Sequence, residues 1–142
     1  MNKIMFMGPV QSGKTTLIQA MKGEKIHYVK TQAIEFDGMA IDTPGEYIEN
    51  RQYLYALTVT AADADIIIFT QDPTADSVWY SPGQSSMFNA KVIGVITKCD
   101  IAEKEKIEHS EHILKLAGAE KIFKVSSVTG QGIDALMEYV AD

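Results

Sequence analysis

The sequence has little cysteine and little arginine, and each scarcity excludes something. One cysteine in 142 residues, Cys99, rules out an intrachain disulfide framework and points to a reducing compartment. Arg51 is the only arginine, and 13 Lys+Arg stand against 19 Asp+Glu, leaving a net charge of -6. Most of such a surface repels phosphate backbones and anionic lipid, so neither nucleic acid nor a membrane is an expected partner. Long hydrophobic runs are also missing. The apolar opening, residues 1–7, meets Gly8, Gln11, Ser12 and Lys14, which is too short for a signal-peptide core. Residues 64–69, with Asp65 among them, fall far short of the roughly 18 residues a membrane span requires. There is no internal repeat and no low-complexity tract. A cytoplasmic protein is expected.

What is present is an ordinary globular composition, 46% hydrophobic and 23% charged, over a length that suits one domain, residues 1–142. Short β-rich apolar runs alternate with longer helical patterns, the signature of an α/β domain. Residues 3–7 read as a strand, and 15–21 as a helix with Leu17, Ile18 and Met21 on one face. Residues 33–36 and 39–42 flank Asp37-Gly38, a two-residue turn suited to a hairpin, giving one antiparallel pair. Residues 47–61 carry helical spacing. Residues 65–70 and 91–97 are apolar on both faces and so read as central, buried strands. A charged helix over 103–117, stopped by Gly118, a strand over 122–125 and an amphipathic helix carrying Ile133, Leu136, Met137 and Val140 complete the order. Together these elements predict a three-layer α/β/α sandwich around a mostly parallel six-stranded sheet with one antiparallel edge strand. The irregular stretch 72–88 is expected to be a surface loop with a short helix docked by Trp79, or else a partner-docking surface.

Three motifs carry chemistry. Gly8-Pro9-Val10-Gln11-Ser12-Gly13-Lys14-Thr15 fits G-x-x-x-x-G-K-[ST] between a predicted strand and a predicted helix, the setting a phosphate-binding loop requires. Its backbone amides, with the helix N-terminus, would cradle phosphates, and Thr16 is grouped with them. Lys14 would bridge the β- and γ-phosphates and the Thr15 hydroxyl would ligate Mg²⁺. Asp42-Thr43-Pro44-Gly45 ends the hairpin. Asp42 is expected to hold Mg²⁺ and the Gly45 amide to sense the γ-phosphate, where a residue without Cβ permits close approach. Thr97-Lys98-Cys99-Asp100 closes a buried strand, where ligands gather in open α/β sheets. The Asp100 carboxylate matches the paired N–H donors of guanine, a pair adenine lacks, while Lys98 would lie along the base plane. Ser126-Ser127-Val128, after the last strand, would offer backbone amides to the base carbonyl. GTP or GDP with Mg²⁺ is the expected ligand, with ATP or ADP as the alternative. His27, His109 and His112 form no metal-ligand pattern with Cys99.

These motifs resemble the Ras-like P-loop GTPase superfamily over nearly the whole chain. More narrowly, Lys30-Thr31-Gln32-Ala33-Ile34-Glu35-Phe36 followed by Asp42-Thr43-Pro44-Gly45-Glu46-Tyr47 resembles the EutP/PduV family of bacterial ethanolamine and propanediol utilisation. The resemblance implies a Ras-like P-loop fold and a small cytosolic nucleotide-binding protein linked to metabolic microcompartments, with shell or enzyme proteins as partners. It also implies Thr31 as the switch-loop contact to Mg²⁺ and γ-phosphate. Two departures bear on mechanism. Glu46 stands where Ras-like hydrolases carry a water-orienting glutamine; its charge opposes the γ-phosphate although it can serve as a base, so slow hydrolysis is expected. Thr97 replaces the commoner asparagine.

Three readings follow: a GTP-dependent switch with slow hydrolysis; an acetate kinase-type phosphotransferase, an activity the family resemblance implies; and a nucleotide-stabilised adaptor docked on a microcompartment. The same Lys14 and Mg²⁺ serve the first two, because phosphoryl transfer is mainly positioning and charge neutralisation.

Overall fold

A computed structural model describes residues 4–8, 14–21, 35–36, 40–42, 64–75, 80 and 82–140. Its strands are β1 (Ile4–Met7), β2 (Glu35–Phe36), β3 (Ala40–Asp42), β4 (Ile66–Gln71), β5 (Lys91–Ile96) and β6 (Ile122–Lys124). Among the described residues its α-helices are α1 (Lys14–Met21), α2 (Lys104–Ala117) and α3 (Ile133–Val140), and a 3-10 turn spans Gln84–Met87. The expected helix over 47–61, the Asp37-Gly38 turn and Trp79 lie outside the described residues.

The six strands form one sheet in the order β2-β3-β1-β4-β5-β6. All neighbours run parallel except β2 and β3, which pair antiparallel with Phe36 opposite Ile41. The expected sheet, with its antiparallel edge strand, is therefore present. Side-chain alternation divides the sheet into two apolar faces. Ile4 and Phe6 of β1, Ile66 and Ile68 of β4, and Ile93 and Val95 of β5 join Leu17 of α1 and Leu136 of α3 on one side. Met5 and Met7, Ile67 and Phe69, and Val92 and Ile96 join Leu114 and Ala117 of α2 on the other. Every residue of β4 is buried, as a strand covered on both faces must be.

Helix α2 buries Ser110, Ile113, Leu114 and Ala117, positions that fall on one face at 3.6 residues per turn. Removing the Leu114 side chain to Cβ would cost about 2–5 kcal/mol by transfer and cavity terms. Gly118 ends the helix at φ 104, the left-handed conformation a Cβ disfavours, with its amide donating to the Lys115 carbonyl at 3.1 Å. In α3 the same logic buries Ile133, Leu136 and Val140.

Among the described residues of the irregular region, Tyr80 anchors the chain. It is 2% exposed and stacked on Phe69, with ring centroids 4.6 Å apart. The 3-10 turn Gln84–Met87 in this stretch is tied to the end of α2 by the Gly83 amide, which donates to the Leu116 carbonyl at 2.8 Å.

Candidate nucleotide site

Parallel strands deliver their carboxyl ends to one edge of the sheet, and the chemistry-bearing residues arrive there in strand order. β1 ends at Met7; Gly8 follows, buried, and α1 begins at Lys14. The strand, connection and helix required of a phosphate loop are thus in place, with Lys14, Thr15 and Thr16 in the first turn of α1. Asp42 is the last residue of β3 and pairs in register with Phe6, two positions before Gly8. The loop interior with Gln11, Ser12 and Gly13, together with Thr31, Gly45, Glu46, Arg51 and His27, lies outside the described residues.

Beyond β1 the edge is stitched by hydrogen bonds. The Thr70 hydroxyl donates to the Met7 carbonyl at 2.7 Å. The amide and hydroxyl of Thr97 both donate to the Gln71 carbonyl, at 2.9 and 3.2 Å. β5 stops at Ile96, one residue before the expected end, because Lys98 takes a left-handed backbone, φ 56, that leaves the strand. That turn lets the Cys99 amide donate to the Val125 carbonyl at 3.1 Å, while the Lys98 carbonyl accepts from the amides of Ile101 and Ala102. The Thr97–Asp100 element and the Ser126 loop are therefore joined directly, with Asp100 exposed between them and solvent.

Lys98 does more than sequence spacing suggests. Its ammonium pairs with Asp72 Oδ2 at 2.7 Å. The other oxygen, Oδ1, accepts from the Thr74 amide at 2.8 Å and the Thr74 hydroxyl at 2.6 Å. Burial pushes the Asp72 carboxyl up, but the Lys98 and Thr74 hydrogen bonds outweigh it and hold the group below its ordinary 3.8. Asp72 was not singled out from sequence; an Asp ending a strand before Pro-Thr is the signal of a side-chain-closed turn that could have found it.

The Ser126 loop is more closed than expected. Ser126 is buried, its amide donates to the Gln131 carbonyl at 2.9 Å, and its hydroxyl accepts from the Thr129 amide at 3.1 Å. The Ser126 amide is thus engaged within its own loop, and Ser127 and Val128 follow it there. Cys99 is half-buried, its thiol donating to the Ile96 carbonyl at 3.3 Å. Burial pushes that thiol above its ordinary 9.0, opposed in part by the Val125 backbone and Lys124. His109 and His112 are exposed, and among the described residues no three His, Cys, Asp or Glu side chains gather as a metal site. A cavity of about 700 Å³ opens at the opposite, amino edge between Ile66, Lys91, Phe123 and Tyr139, and it contains none of the motif residues.

Residues 1–142 match the PduV-EutP family, described as "Ethanolamine utilisation - propanediol utilisation". The chain belongs to that family. It is 44% identical over 142 residues to the propanediol utilization protein PduV of Citrobacter freundii, covering 99% of this chain and 93% of that one. It is 32% identical over 143 residues to a protein of Escherichia coli K12 named probable acetate kinase EutP, covering 99% and 90%. Among solved structures, translation elongation factor SelB of Methanococcus maripaludis, in complex with the GTP analogue GppNHp, superposes with a TM-score of 0.73 at 24% identity. The match covers 99% of this chain and 33% of the SelB chain, so this PduV-EutP member spans about a third of that protein and shares its fold over that part. Among the described residues, no helix is long and apolar enough to cross a membrane.

Proposed function

We propose that this PduV-EutP protein binds a guanine nucleotide with Mg²⁺ along the carboxyl edge of its sheet and hydrolyses the triphosphate slowly, serving propanediol or ethanolamine utilisation. The observation that carries this reading is the junction of Thr97–Asp100 with the Ser126 loop through the Cys99 amide and Val125 carbonyl, at the same sheet edge as the Gly8 to Lys14 connection. A base reader and a phosphate cradle on one edge are what a nucleotide spanning several strands needs. In this reading the whole chain is one nucleotide-binding domain. Gly8, Gln11, Ser12, Gly13, Lys14, Thr15 and Thr16 take the phosphates, Asp100 and Lys98 take the base with Thr97 beneath them, and Ser127 and Val128 offer amides to its carbonyl. Gly45 senses the γ-phosphate and Glu46 stands beside the attacking water. The donors Thr15, Thr31 and Asp42 are hard oxygens, which suits Mg²⁺, and the bound ion would neutralise charge between the β- and γ-phosphates.

The test is calorimetric binding of GDP and of ADP, each with Mg²⁺, to nucleotide-stripped protein. A strong preference for GDP that disappears in Asp100→Asn supports the reading; equal binding overturns the base assignment.

A second reading draws on the name of the Escherichia coli relative: transfer of the γ-phosphate to a small carboxylate such as acetate. It predicts hydroxylamine-trappable acyl phosphate from acetate and ATP or GTP, lost in Lys14→Ala, and absence of product at high protein concentration refutes it. Partners would be shell or enzyme proteins of the microcompartment, with the protein itself cytoplasmic; co-sedimentation with purified microcompartments tests that.

A further inference from the structure

We infer that Asp72 is a positioning residue for base recognition, holding Lys98 so that its methylene stem, rather than its charge, is presented to the nucleotide base. The inference rests on the guanine-nucleotide reading above and extends it to a residue outside every motif.

Lys98 carries the strain. Among the described residues it is the only one other than glycine with a positive φ, 56. A left-handed backbone is costly for a residue with a Cβ and persists where surrounding contacts over-determine it. Here the contacts are identifiable. On one side the Gln71 carbonyl accepts twice from Thr97; on the other the Val125 carbonyl accepts from Cys99. The lysine side chain is then fixed at its far end by Asp72 Oδ2 at 2.7 Å.

Asp72 is built for that task. Its side chain is 10% exposed against 38% for Lys98, and its second oxygen is spoken for by the amide and hydroxyl of Thr74. Both carboxylate oxygens are thereby aimed, so the group cannot swing to follow a mobile ammonium. Residue 72 also directly follows Gln71, whose carbonyl holds Thr97, so one stretch of chain fixes both the backbone and the side chain of the base element. A free lysine would surrender its rotamer freedom on nucleotide binding; one already clamped has surrendered it beforehand, which lowers the cost of binding. Because the ammonium is neutralised by Asp72, the four-carbon stem remains as the apolar surface over which a planar base can lie.

The experiment compares wild type, Asp72→Asn, Lys98→Met and the double variant by calorimetry with Mg·GDP, Mg·ADP and Mg·pyrophosphate, with melting curves for each. Asp72→Asn should weaken GDP binding by about five- to tenfold and leave pyrophosphate within about twofold, since only the base contact changes. The double variant should bind GDP no worse than Lys98→Met alone, because the carboxylate acts through the lysine. If Asp72→Asn melts below the assay temperature, Lys98→Met still tests the clamp, through the same split between GDP and pyrophosphate. Wild-type affinity for GDP in Asp72→Asn, or an equal loss for GDP and pyrophosphate, overturns the inference while leaving the guanine reading standing. A wild type that binds GDP and ADP equally overturns the guanine reading itself.

Discussion

The ring of Tyr80 lies flat on that of Phe69, centroids 4.6 Å apart and planes 11° apart, and its hydroxyl is shared between the carbonyls of Thr70 at 2.8 Å and Met7 at 3.1 Å. Those carbonyls belong to neighbouring parallel strands at the edge where Gly8 begins the phosphate loop. A single phenol thus covers the core face of β4 and closes the seam between β4 and β1. Burial pushes its pKa far above the usual phenol value, opposed only in part by its hydrogen bonds to Thr70, so the hydroxyl remains a donor at every working pH.

Tyr80→Phe keeps the stack and deletes the shared donor. The Met7 carbonyl still accepts from Thr70, so the loss should be modest, about 1–2 kcal/mol in urea unfolding. Tyr80→Ala also removes the ring and should cost about 3–5 kcal/mol. Equal stabilities of wild type and Tyr80→Phe would show that the hydroxyl contributes nothing to the seam.

The architecture was legible because each central strand is apolar on both faces, and residues such as Ile67 and Ile68 announce opposite cores within one short run. The Gly8–Thr15 and Thr97–Asp100 motifs stood out because few residue types satisfy the chemistry each would perform, and the sheet brings Gly8, Lys14 and Thr97–Asp100 to its carboxyl edge. Tyr80 and Asp72 did not stand out. Their roles depend on partners 73 residues away for Tyr80 with Met7, and 26 away for Asp72 with Lys98, and no local period reports a contact at such separations. Trp79, the aromatic expected to dock this stretch, lies outside the described residues; Tyr80 beside it has the geometry of an anchor. The closed Ser126 amide was equally hidden, since its acceptor is a backbone carbonyl that no side-chain pattern encodes.

Asp72 also makes stability depend on acid. Its carboxyl lies below the ordinary 3.8, so the folded state binds that proton less readily than the unfolded chain. The contribution is therefore fully present above the ordinary value and is lost as pH falls through the folded one. Wild type should exceed Asp72→Asn by about 1 kcal/mol from pH 5 to 8, a figure kept low because Lys98 is partly exposed. The gap should close below about pH 4. Guanidinium midpoints measured at pH 3, 5 and 7 decide it; a constant gap across all three would show that the carboxylate is not the titrating group.

Cys99 sits inside the Thr97–Asp100 element, half-buried and donating to Ile96, with a thiol pushed above its ordinary 9.0. The thiolate is the reactive form. Alkylation by iodoacetamide at pH 7 should therefore run slower than for a free thiol, and the rate should still be rising at pH 9. An inflection near pH 7 would mean that an activated cysteine had been mistaken for a structural one.

Two glycines of the loop after β6 offer a controlled comparison. Gly130 and Gly132 both have positive φ, 85 and 76, so alanine is strained at either. A Cβ at Gly130 meets nothing within 4 Å, whereas one at Gly132 collides with the Lys124 carbonyl and crowds Val125. Strain alone should cost Gly130→Ala about 1 kcal/mol. Gly132→Ala must add a backbone shift beside Ser126 and should cost about 2–4 kcal/mol. Amide exchange supplies the local readout: the Ser126 amide, bonded to Gln131 at 2.9 Å, should lose protection in Gly132→Ala and keep it in Gly130→Ala. Similar losses of stability and protection in both variants would mean that φ, and not the approach to Lys124, sets the shape of the loop on which Ser127 and Val128 stand.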